Sequence, residues 1–189
     1  QIEKYLLKDD KINIIEMWND FIKIIDGPLP GFPIWANEFK KTYDISAFPK
    51  WKKIILSKNR KLYADNKKVI DIWLNKYDNL NNLANIYSKL EWQAGQSERD
   101  IWKQIFHFRT SGLRVKIPNY VPALVAMTHT SVIGKFKRKI TPREAARLQS
   151  FPDNYKIHHD DKQAYKQFGN AVNVSVIKYL TSKLLEIKY

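Results

Sequence analysis

An α+β fold is predicted by three observations. Apolar residues recur at three- and four-residue spacing through most of residues 1–107; the period shortens toward alternation over about residues 112–140; and two further helical patterns follow residue 141. The architecture expected is a helical first half, a small basic β-sheet and two C-terminal helices. With 189 residues, 44% of them hydrophobic, the chain is long and apolar enough to bury a core of one or two domains.

The first helix is expected over residues 10–25, where Ile14, Trp18, Phe21 and Ile25 share a face and Asp10 is placed to cap. The stretch "DGPLPGFP" ends it in a loop. Two helices are expected in "AFPKWKKIILSKNRKLY" and "NKKVIDIWLNKY", the second with Val69, Ile70, Trp73 and Tyr77 on one face. A short helix is expected in "SERDIWKQIFHF", capped by Ser97. Strands are expected in "LRVKIP", "PALVAM" and "SVIGKFKRKI", separated by Gly112, Pro118, Pro122 and Gly134. Trp18, Trp51, Trp73 and Trp102 lie at helical spacing among aliphatic residues and read as core.

Charge narrows the partner. The net charge is +14, and residues 101–140 hold eight Lys or Arg with no Asp or Glu. Residues 40–62 hold eight more against one acid, Asp44. Clusters of this kind fit nucleic acid, although a solvated basic face is the ordinary alternative. No apolar run approaches the roughly 18 residues of a membrane span, and no signal segment is present, so a cytoplasmic chain without membrane partners is expected. The absence of cysteine excludes disulfides, zinc–thiolate sites and a thiol nucleophile. His158 and His159 adjoin Asp160 and Asp161 without a third ligand at metal-binding spacing, so no metal is expected. No triad or carboxylate pair is present, and no catalytic residue is assigned. The first residue is Gln1, which suggests a processed chain or part of a longer one.

Two C-terminal motifs carry chemistry. In "TPREAARLQSFPDNY", Thr141 stands at an N-cap, Pro142 at the first helical position and Glu144 three residues after the cap. Arg143 is left to point elsewhere. In "AYKQFGNAV" a Gly-Asn pair precedes an apolar helix lined by Val172, Val176, Ile177, Leu180, Leu184 and Ile187. The expected helix begins near Asn170 and needs a large apolar partner. Its opening by Gly169-Asn170 would present N–H donors to a ligand.

Together these segments resemble the end of a bacterial DNA (cytosine-5)-methyltransferase of restriction-modification type. The Pro142-Arg143-Glu144 helix followed by Phe151-Pro152 is similar to the family's ninth motif, and Gln167-Phe168-Gly169-Asn170-Ala171-Val172 to its tenth. "FRTSGLRVKIPNYVPALVAMTHTSVIGKFKRKITPRE" resembles the back of the family's target recognition domain. Where many members carry Thr-Leu, this chain reads Ala123-Leu124.

The resemblance implies a recognition region over residues 1–140 and a closing segment over 141–189, whose helices would dock on a Rossmann-like methyltransferase core. It implies S-adenosylmethionine as cofactor, with Gly169, Asn170 and Ala171 closing part of its pocket. It implies a double-stranded DNA partner and a catalytic half, in the same longer chain or in a separate subunit, that supplies the Pro-Cys nucleophile. Lys135, Lys137, Arg138 and Lys139 would contact phosphates, and Arg109, Arg114 and Lys116 lie where a guanidinium could read guanine. The alternatives are a non-enzymatic DNA-binding module or methyltransferase relic, and part of an RNA-directed enzyme.

Overall fold

The computed structural model describes residues 2–126 and 130–186. Helix α1 spans Asp9–Ile24, α2 Lys50–Asp65 and α3 Lys67–Lys76. Strands follow as β1 Ile34–Trp35, β2 Lys89–Gln93, β3 Ile105–Arg109, β4 Gly112–Lys116, β5 Val132–Ile133 and β6 Arg138–Lys139. Helices α4 Pro142–Leu148, α5 Asp161–Asn170 and α6 Val174–Glu186 end the described chain.

The expected α+β class holds, with the sheet larger than expected. It has six strands in the order β1-β2-β4-β3-β5-β6 and draws β1, β2 and β3 from the half expected to be helical. Strands β2 and β4 run parallel; the other neighbours are antiparallel. The helix expected from Ser97 is instead a 3-10 turn, Ile101–Lys103, in which the Asp100 carboxylate accepts from Trp102 N at 3.0 Å. The chain then enters β3, where Ile105, Phe106 and Phe108 suit a strand and five residue pairs with β4 satisfy the backbone. Over so short an apolar run the two periods cannot be told apart in sequence. No strand forms over residues 121–126, and the rest of "PALVAM", with His129, lies outside the described residues.

Gly112 is needed where β2 and β4 run side by side. Its φ is +121°, and a Cβ there would stand 2.6 Å from both the Cβ and the carbonyl oxygen of Lys89.

The main core lies between the sheet and helices α1 and α3. Trp18, Phe21 and Trp73 form its centre, with Phe21 and Trp73 ring centroids 4.9 Å apart. The Trp73 indole donates to Met17 O at 2.9 Å and the Trp18 indole to Tyr87 O at 2.8 Å, so neither buried N–H is orphaned. Asp10 does not cap α1; the helix begins one residue earlier, with both Asp9 and Asp10 in its first turn, where their charge suits the helix dipole. Trp51 also departs from expectation: it is 60% exposed on α2.

A second, smaller cluster joins Ile140, Ala145, Ala146, Ala164 and Phe168, with Leu124, Phe151 and Tyr165 against it. Helix α6 leaves this cluster. Val176, Ile177, Leu180 and Leu184 are 46–65% exposed, so its apolar stripe has no cover among the described residues. Ile187 lies outside them. No helix of the described residues is long and apolar enough to cross a membrane.

Candidate nucleic-acid interface

The basic residues of 101–140 divide into two kinds. Arg114 projects from β4 and its Nε donates to Glu91 on β2 at 2.6 Å. Arg138 is buried, with 8% exposure, and its two Nη atoms grip the Glu144 carboxylate at 2.8 and 2.7 Å. These guanidiniums are committed within the fold. Arg138, expected to contact a phosphate, here spends its guanidinium on the Glu144 carboxylate. Arg114 is likewise engaged rather than presented to a base.

Glu144 serves two partners at once. It accepts from Thr141 N at 2.7 Å, while Thr141 Oγ1 accepts from Glu144 N at 3.1 Å, completing a capping box with Pro142 at the start of α4. The Arg138 guanidinium, and then the Thr141 N–H, hold the Glu144 carboxyl well below the usual range, at about 2. Arg143 turns away, one Nη donating to Tyr155 O at 2.9 Å and the other buried without a hydrogen-bond partner.

A second group of cations gathers elsewhere. A cleft of about 420 Å³ opens between the N-terminal segment, the end of β3 and β6. Its cationic lining is Lys4, Lys8, Lys11, Arg109 and Lys139, against a single acid, Asp10. One Nη of Arg109 is buried without a hydrogen-bond partner. The rest of the wall is largely apolar, with Leu6, Ile86, Tyr87 and Phe108 among it and Thr110 and Thr130 as its hydroxyls. Of the lysines, Lys4 pairs with Asp161 at 2.8 Å and Lys11 with Asp10 at 2.9 Å. Lys135 and Lys137 lie on the turn beside the cleft's β6 edge, Lys137 with φ +48° and its Nζ 4.6 Å from the Trp102 ring. Lys116 sits apart, over the Tyr120 ring.

Sequence reasoning missed Lys4, Lys8 and Lys11. They reach the cleft because Leu6 bridges Arg138 and Leu7 N donates to Lys137 O at 2.9 Å, adding the N-terminal segment beside the sheet's β6 edge. Their four- and three-residue spacing was the available signal, masked by the adjoining Glu3, Asp9 and Asp10.

The Gly-Asn pair lies at the end of α5 rather than at the opening of a helix. Gly169 meets the backbone of Val125 and Ala126 so closely that any Cβ would overlap it. Asn170 is exposed, and α6 begins four residues later, where the Asn173 side chain accepts from Val176 N at 3.2 Å. Gln149 Nε2 donates to Phe168 O at 3.0 Å and to Ala171 O at 3.3 Å, holding the joint between the two helices.

The family model for C-5 cytosine-specific DNA methylases matches residues 15–186, and so runs through the sheet, the capped α4 and the Gly-Asn joint together. The chain belongs to this family. It is similar to the Type II methyltransferase M.AluI of Cellulosimicrobium cellulans, 39% identical over 134 residues, 70% of this chain and 26% of the relative. It is similar to M.HhaI of Haemophilus parahaemolyticus, 36% identical over 88 residues, 47% of this chain and 25% of the relative. With M.HpaII of Haemophilus parainfluenzae identity reaches 59%, over 49 residues covering 26% of this chain and 14% of the relative. The chain spans about a quarter or less of the length of these relatives.

A methylase of this family generally depends on S-adenosylmethionine, and the residues at the joint fit that group in part. The exposed Asn170 amide can offer polar contacts. Gly169 is spent on the Val125–Ala126 approach, and the Ala171 carbonyl is already engaged by Gln149.

Proposed function

We propose that this chain supplies the target-DNA recognition and cofactor-pocket-closing part of a type II DNA (cytosine-5)-methyltransferase of bacterial restriction-modification type. The observation that carries this reading is the cation-lined cleft beside β6, in a member of a DNA methylase family. Lys8 and Lys139, with Lys135 and Lys137 at the rim, contact phosphates of the duplex. Arg109, which lines the cleft at the end of β3, is the guanidinium placed to take an acceptor there. The target cytosine leaves the stack for chemistry performed by the catalytic half. Asn170 lies toward the S-adenosylmethionine pocket, and the uncovered apolar stripe of α6 docks on the catalytic half.

Duplex binding measured against salt tests the cleft. Replacing Lys8 and Lys139 by Ala is expected to weaken binding to all sequences and to lower the log–log salt slope by about 2, at about 0.9 per phosphate released. An unchanged slope would refute the cleft as the phosphate-binding surface.

Methylation at cytosine carbon 5 needs a thiolate to add at carbon 6, and the chain has no cysteine. Purified alone, it is expected to transfer no label from S-adenosylmethionine to DNA, and to support transfer when combined with the region carrying the Pro-Cys motif. Methyl transfer by the chain alone would overturn this assignment of roles.

A further inference from the structure

The basic stretch 40–62 lies outside the cleft. It folds into α2 and the loop before it, and part of its charge is spent there. Arg60 Nη2 donates to Tyr43 O at 2.8 Å, Lys53 Nζ to Ser46 O at 3.0 Å, and Lys52 Nζ stands 3.8 Å from the Phe48 ring. The opposite side of the helix holds the fully buried Leu56 and Asn59. Asn59 accepts from Trp35 N at 2.7 Å and donates to Pro33 O at 3.0 Å, which ties α2 to β1.

What remains outward is one face. Lys50, Trp51, Ile54, Lys58 and Lys61 fall within an arc of roughly 100° at 3.6 residues per turn. Trp51 is 60% exposed and Ile54 46%. The one acid on the arc, Asp65, pairs with Lys61 at 2.9 Å, with both side chains mostly exposed, so the pair is weak. Lys50 and Lys58 have no ion pair among the described residues. A solvated lysine face has no need of a tryptophan; a surface that meets a polyanion with sugar faces uses both.

We propose that this face of α2 is a second surface for duplex DNA, separate from the cleft. Lys50, Lys58 and Lys61 take phosphates of the flanking duplex, and Trp51 and Ile54 pack on its deoxyribose faces. Charge complementarity selects the occupant over a protein partner. The inference rests on the cleft being the recognition site. Helix α2 packs at the β1 edge of the six-stranded sheet, whereas Lys139 of the cleft stands on β6 at the other edge. Five strand spacings lie between β1 and β6, about 24 Å, or roughly 7 base pairs of duplex axis. A duplex held at the β6 rim must therefore carry flanking sequence to reach α2.

The test is binding of the full chain to duplexes of about 10 and about 30 base pairs, roughly one and three helical turns, with the recognition site central. The parent should bind the longer duplex more tightly. K58E/K61E should lose about tenfold on the longer duplex, with its salt slope reduced by about 2, and match the parent on the shorter one. W51A should lose several-fold on the longer duplex with an unchanged slope. All three positions are exposed, and melts matching the parent's verify the fold. Variants that bind the longer duplex like the parent overturn the proposal and point to a protein partner for this face. Losses equal on both duplexes also overturn it, because the face would then belong to the recognition site. A parent that binds neither duplex removes the cleft reading and this one together.

Discussion

Replacing Glu144 by Gln is expected to destabilise the chain by about 2–4 kcal/mol, lowering Tm by about 5–15 °C. The substitution keeps the side chain's shape and its hydrogen bond to Thr141 N. It removes the charge that Arg138 is buried against, and an unpaired buried guanidinium costs far more than an exposed ion pair contributes. Thr141→Ala, which removes one cap hydrogen bond, should cost only about 1 kcal/mol. If E144Q cost no more than Thr141→Ala, the Arg138 pairing would not be the stabilising contact. Converting Arg138 to Met in the E144Q background should recover part of the loss, since an apolar side chain leaves no charge unpaired.

The same carboxyl sets a pH dependence. Its folded-state pKa is depressed to about 2 from an ordinary 4.5, so its contribution is fully present above about 4.5 and is lost as pH falls toward 2. The Glu144 side chain is 32% exposed, so solvent screening reduces the full linkage value of about 3 kcal/mol to roughly 1–2. In E144Q this acid-side slope should be shallower by that amount. An identical slope in parent and variant would remove Glu144 as its source.

Gly169→Ala is expected to cost about 2–4 kcal/mol, because its Cβ would overlap the Val125 and Ala126 backbone. Backbone cannot yield as a flexible side chain can, so the end of α5 must move away from the 125–126 segment. Leu124 and Phe168, which pack in the same small cluster, should lose burial together. On the proposed reading, in which Asn170 and Ala171 border the S-adenosylmethionine pocket, this displacement shifts both, and weaker cofactor binding should accompany the lower Tm. A variant with the parent's Tm but impaired cofactor binding would mean that Gly169 makes room for the ligand rather than for the 125–126 segment.

Much of the chain was legible before folding. The spacing of Ile14, Trp18 and Phe21 announced α1, and Ile70 with Trp73 announced the buried face of α3. Thr141-Pro142 with Glu144 wrote a complete capping box into four consecutive residues. The family was legible for the same reason, since Pro142-Arg143-Glu144 and Gln167 to Val172 are local patterns. β2 and β3 were not legible. Lys89–Gln93 and Ile105–Arg109 are short mixed segments whose pairing is satisfied only by strands distant in sequence. Trp51 misled because helical spacing shows which residues share a face, not whether that face finds cover.

The sequence by itself determined the charge, the lack of a thiol, most of the helices and the family, because each resides in composition or in residues a few positions apart. Only the tertiary structure decided which cations remain for a partner. Arg114 and Arg138 are cancelled by Glu91 and Glu144, whereas Lys8, with Lys4 and Lys11 beside it in ion pairs of their own, is carried to Arg109 and Lys139 by a bridge between Leu6 and Arg138. It also decided that Gly169 serves a backbone contact 43 positions away in sequence numbering at Ala126, and that the apolar face of α6 has no cover among the described residues. Coulomb pairing and burial depend on distance in space, and for these residues folding sets that distance.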